Sequence, residues 1–111
     1  MKYNSSTSPG QTWAGMIEVK DAYDWDPATE VNGIPESSIL GVEAPLWTEL
    51  IATVAHAEFM MFPRVIGHAE IGWSPQAERN WNDYRRRLYY HIPRLTAMGV
   101  NFYHSSQMYG K

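Results

Sequence analysis

The stretch from Ile39 to Trp73 constrains this chain most, because proline and glycine cut it into pieces too short for free choice. Its first piece, Ile39-Leu40-Gly41-Val42, is apolar, too brief for a helix and branched enough for a buried strand. Pro45 ends that strand, since proline cannot donate to a sheet ladder and the residue before it prefers extended geometry. Trp47 and Glu49 follow at the strand's C-terminal end, with Thr48 between them. An indole can cover the C–H face of a pyranose, and a carboxylate two residues on can accept from its hydroxyls. The plainer alternative has Trp47 in the core and Glu49 at the N-terminus of the next helix, where negative charge is favoured. Spacing alone leaves both open.

Further along, Thr48 is placed to cap a helix from Glu49 to about Phe62, with Leu50, Val54, Ala57 and Met61 on its apolar face. Pro63 stops that helix and starts a shorter one, where Val65, Ile66, Ala69 and Ile71 supply the apolar positions and Gly72 the end. Asn80-x-x-Asp83 reads as a capping signal, and the longest helix runs from there to about Met98. Its inward stripe is Trp81, Tyr84, Leu88, Ile92 and Leu95, with Arg85, Arg86 and Arg87 toward water and Gly99 as terminator. Val100 to Tyr103 form a last extended piece packing back on the core.

Before the strand, residues 1–12 are polar and Ser-rich, with Pro9-Gly10 as a turn. Asp26 before Pro27 is a helix cap with proline at the first position, and Asn32-Gly33-Ile34-Pro35 keeps that helix short. Asp21 and Asp24 read as solvated turn residues.

Several function classes drop out. A net charge of −3 and a pI of about 5.7 give no cationic footprint for nucleic acid. Without cysteine there are no disulfides or thiolate metal sites, and His56, His68, His91 and His104 lack metal-ligand spacing. His56 and His68 fall on neighbouring helices and could meet. No metal or cofactor is expected. No apolar run approaches a membrane span, and no apolar segment behind Lys2 suggests a signal peptide. Glu58 and Glu70 lie in mostly apolar helices with Arg64 between them; a structural Glu70–Arg64 ion pair is the expected arrangement. Five Trp and seven Tyr make the chain rich in aromatics, which suits a carbohydrate partner.

The run Gly41-Val42-Glu43-Ala44-Pro45-Leu46-Trp47-Thr48-Glu49, then Phe62-Pro63-Arg64, then Ala69-Glu70-Ile71-Gly72-Trp73-Ser74, closely resembles the C-terminal part of family-20 glycoside hydrolases, the β-N-acetylhexosaminidases. The likeness extends through Met1-Lys2-Tyr3, Thr12-Trp13-Ala14-Gly15, Asp24-Trp25-Asp26-Pro27 and Arg87-Leu88 to Gly99-Val100-Asn101-Phe102-Tyr103. The resemblance implies an α/β fold: a partial (β/α)8 barrel, mainly helical, with one to three short strands. Residues 1–38 would be a loop and short helix, and residues 39–103 the last strand with the closing helices.

The resemblance further implies that Trp47 walls a pocket for a terminal N-acetylglucosamine or N-acetylgalactosamine. By the same likeness Glu49 bonds the outer hydroxyls of that sugar, and Trp13 lines the pocket from a loop. In that family the sugar's own acetamido oxygen attacks the anomeric carbon, while an adjacent Asp-Glu pair orients the acetamide and protonates the leaving oxygen. This sequence contains no Asp-Glu dipeptide. A whole barrel needs at least about 200 residues, against 111 here. The expectation is therefore a fragment without a catalytic residue of its own, whose uncovered faces, Tyr89-Tyr90-His91-Ile92 among them, draw copies into a homo-oligomer.

Overall fold

Side-chain caps set the start of two of the three α-helices among the described residues, and a proline the third. The computed structural model describes residues 1–109. Thr53, in extended backbone geometry, accepts from the His56 amide and opens α1, Val54–Met61. Pro63 opens α2, Arg64–Trp73. Asn80 accepts from the Asp83 amide at 3.1 Å and opens α3, Trp81–Ala97, which runs on through Pro93. Asp26 caps a single 3₁₀ turn, Pro27–Thr29, and similar turns occupy Glu36–Ser38, Gln76–Glu78 and Ser106–Met108.

Two expectations need correction. The helix placed at Glu49 starts five residues later, because Thr53 and not Thr48 provides the cap; Thr48 accepts from Ile51 in a turn instead. The predicted inward face moves with it. Leu50 and Val54 are exposed and Met60 is buried.

The strand expected at Ile39–Val42 does not form, and no strand occurs among the described residues. The only β-pairing there is an isolated parallel bridge, Lys2 to Met16. A strand is defined by its neighbours, and this one has none: Ile39 donates back to the Glu36 carbonyl at 2.9 Å, and residues 40–47 make no backbone hydrogen bond among the described residues. Leu40 is fully exposed as a result. The α/β expectation is thus met only in its helical part.

α3 matches its predicted stripe. Tyr84, Leu88 and Leu95 are buried, and Trp81 and Ile92 pack against them. Gly99, at φ +72°, lets the chain turn out of the helix. Its amide bonds Thr96 O, and the Val100 amide bonds Leu95 O, each at 3.0 Å, closing the last turn. The chain then returns to the core with Phe102 buried and the Tyr103 amide on Phe62 O at 3.0 Å. Tyr3, Val19, Tyr23 and Met108 complete that core from both ends of the sequence. Tyr23 and Tyr84 stack at 4.2 Å and Tyr3 and Tyr103 at 4.0 Å.

A half-buried carboxylate binds the two ends together. Glu18 accepts from Asn4 Nδ2 at 3.0 Å, Tyr103 Oη at 2.8 Å, Ser105 Oγ at 2.8 Å and its neighbour's amide at 3.0 Å. Burial alone would raise its pKa, but these four donors favour the charged form and hold it below the ordinary glutamate value. A depressed folded pKa means stability that is complete above about pH 5 and lost as acid drives the proton on. Acid melts should therefore fall less steeply for Glu18→Gln than for the parent. The variant should also lose about 1–3 kcal/mol at neutral pH, since hydrogen bonds to charge are the stronger ones. Urea titrations at neutral and acid pH measure both.

Candidate functional site

Residues 43–51 cross the molecular surface without helix and face the N-terminal segment and the α1–α2 corner across a cavity of about 390 Å³. That volume lies within the usual range for small-molecule sites. Trp47 and Glu49 both line it, as do Ile17, Met60, Arg64 and His68.

This geometry removes the plainer alternatives for both residues. Trp47 is 78% exposed, so it is not core. Glu49 precedes α1 by several residues, so it does not cap that helix. A large indole held in water at the rim of a cavity, beside a free-standing carboxylate, is suited to stacking and hydrogen bonding with a polar ring.

Trp13 is placed differently. It sits 83% exposed on the loop between the bridged residues Lys2 and Met16 and is not part of the cavity wall. The structure thus brings two of the three predicted sugar contacts together and leaves the third on an adjoining loop.

Other polar groups are structural. The expected Glu70–Arg64 pair does not form: Glu70 pairs with Arg87 of α3, with one contact at 3.0 Å, and Arg87 Nε also reaches Asp83 at 2.8 Å. The hydrogen bonds from Arg87 depress the Glu70 pKa, outweighing burial. Glu58 accepts from the Asn101 amide at 2.8 Å. Asp24 pairs with Lys20, and Asp21 accepts from the Glu18 amide at 3.0 Å, both as turn residues.

His56 and His68 face different partners: His56 accepts weakly from Ala52, while His68 packs against Trp25 at 5.5 Å. Burial lowers the His68 pKa, which favours the neutral imidazole. Among the described residues no three acidic or imidazole side chains gather to hold a metal ion, and no helix is long and apolar enough to cross a membrane.

Sequence reasoning placed Arg64 in an ion pair and gave His68 no role, so it missed both in the cavity wall. Arg64 already stood within Phe62-Pro63-Arg64, one of the stretches carrying the family likeness. Nothing in the sequence marked His68.

The chain as a whole has close relatives of known family. The family model described as glycosyl hydrolase family 20, catalytic domain, matches residues 1–76. The β-N-acetylhexosaminidase of Cellulomonas fimi is 39% identical over 108 residues, which cover 97% of this chain and 22% of that protein. Among solved structures, the GH20 β-N-acetylhexosaminidase of Streptomyces coelicolor A3(2) superposes with a TM-score of 0.92 at 47% identity, over 96% of this chain and 22% of that one. The Streptomyces plicatus N-acetyl-β-hexosaminidase, solved with Thio-NAglucal, gives 0.92 at 46%, over 96% and 21%. The chain belongs to glycosyl hydrolase family 20, and it spans about a fifth of the length of these relatives.

Proposed function

We propose that this chain forms one wall of the sugar pocket of a β-N-acetylhexosaminidase and does not hydrolyse glycosides by itself. The observation that carries the reading is the shared wall: Trp47 and Glu49 line one cavity within the stretch that matches the family's catalytic domain. Trp47 stacks on a terminal N-acetylhexosamine, Glu49 accepts from its outer hydroxyls, and Trp13 closes on it from the loop.

Within these 111 residues there is no Asp-Glu pair to orient an acetamide and protonate a leaving group. Losing a general acid alone forfeits roughly 10²- to 10⁴-fold. The open segment 39–47 takes the place of a last barrel strand and makes its ladder only with strands from outside these residues. Copies of the chain associate to cover such surfaces. A purely self-assembling role, without sugar binding, is the second reading, favoured by the exposed Tyr89 and Tyr90 on α3.

The purified chain should release no chromophore from an aryl N-acetylglucosaminide. Titration calorimetry with N-acetylglucosamine should give a weak Kd, of order 1 mM, and Trp47→Ala should remove the heat. Sustained turnover would overturn the first half of the proposal, and binding indifferent to Trp47 the second.

A further inference from the structure

The loop that carries Trp13 is closed at its neck by a backbone bridge and by one side chain from α2. Its two ends meet at the Lys2–Met16 bridge, with the Ile17 amide on Lys2 O at 2.9 Å and the Lys2 amide on Gln11 O at 3.1 Å. One isolated bridge is marginal on its own. Arg64 reinforces it: Nη1 donates to Met1 O at 3.1 Å and to Ile17 O at 3.3 Å, so one nitrogen spans both ends of the neck. Nε donates to Met60 O at 3.1 Å, and the guanidinium lies 4.0 Å from the Tyr3 ring centre.

The donor inventory tells a clamp from an anion site. Among the described residues no carboxylate pairs with Arg64, and its N–H groups go to the carbonyls of three residues from two segments. A guanidinium spent on carbonyls has little left for a ligand; its planar fork serves here to fix distances. Met1, Ile17 and Arg64 also line the cavity that holds Trp47 and Glu49. The neck of the Trp13 loop and the rim of the site are therefore one structure.

We propose that Arg64 is a positioning residue, which locks the neck of the 2–17 loop to the α1–α2 corner and so fixes where Trp13 stands relative to the cavity. The idea rests on the sugar-wall reading for its purpose, but not for its test. Gly10 and Gly15, at φ +128° and +99°, shape the loop beyond the neck. The clamp sets its root.

The test uses the full chain labelled with 5-fluorotryptophan, its five ¹⁹F resonances assigned by single Trp→Phe changes. Arg64→Met removes the clamp. Arg64→Lys keeps the charge over Tyr3 but cannot span both carbonyls. In both variants the Trp13 resonance should move, and amide exchange protection at Lys2 and Ile17 should fall by roughly tenfold or more, while the Trp81 resonance in the core stays in place. An unmoved Trp13 signal with unchanged protection would overturn the proposal. So would loss of the Trp81 signature in both variants, which would make Arg64 a residue of the whole fold. Adding N-acetylglucosamine separates the two ideas: silence at Trp47 and Trp13 sinks the sugar reading, while a loop loosened by Arg64→Lys still upholds the clamp.

Discussion

In size exclusion with light scattering, the chain is expected to run as a dimer or larger assembly and not at the 12.7 kDa of one copy. The reason is surface area. A folded monomer of this mass should expose about 6,200 Å², whereas the chain exposes 7483 Å². The excess, roughly 1,300 Å², is more than the ~800 Å² that each partner of a standard interface contributes. Its composition points the same way: Leu40, Trp73 and Val54 stand in water, and Leu40 belongs to a backbone segment that has no ladder. Unpaired extended backbone flanked by apolar side chains is a ready template for a second copy. A symmetric dimer through this segment buries Leu40 twice. Leu40→Asp should then cost about 3 kcal/mol at the interface, roughly a hundredfold in Kd, and shift the mass to that of the monomer. Tyr90→Ser tests the other patch, on α3. A compact parent monomer at micromolar concentration would sink the idea.

What could be read from the sequence was what depends on near neighbours. The start of α3 at Asn80, its stripe and its end at Gly99 are set by residues within one turn, and all were legible. The family likeness rested on ordered motifs and held across the chain. The errors have different causes. Thr48 and Thr53 are equally good caps on paper, and only the turn at Thr48 decides between them. Ile39–Val42 has strand composition, but a ladder needs a partner that these residues do not provide. The Glu70–Arg64 pair was avoidable: six positions apart on one helix, the two side chains do not share a face. Arg87, from α3, takes Glu70 instead. Trp47 and Glu49 stood two residues apart in the sequence, but that they share a cavity wall depends on how 43–51 lies against α1 and α2.

Tyr3→Ala should unfold the chain or bring its melting temperature down by more than about 10 °C. Tyr3 is 1% exposed and is the point where four segments meet. Its hydroxyl donates to Phe59 O at 2.7 Å, with Phe62 O at 2.9 Å sharing the proton, so it satisfies carbonyls left open at the end of α1. Its ring stacks on Tyr103, meets Phe59 edge-on at 5.6 Å and carries the Arg64 guanidinium. Truncating a buried aromatic costs about 3–5 kcal/mol, a large part of the roughly 5–15 kcal/mol of a small domain. Tyr3→Phe keeps the packing and loses only the proton donor, about 1–2 kcal/mol. The phenol adds a pH signature. Burial is the largest influence on it and pushes its pKa upward, as it does for Tyr84. A raised folded pKa means stability present below the unfolded value near pH 10 and lost as pH rises past it. Alkaline melts of the parent should therefore steepen above about pH 10, and Tyr3→Phe should flatten part of that slope. Circular dichroism melts of all three proteins at one fixed chain concentration hold association constant. If Tyr3→Ala melts within a few degrees of the parent, the N-terminal segment is not part of the core, and the loop clamped by Arg64 loses its anchor with it.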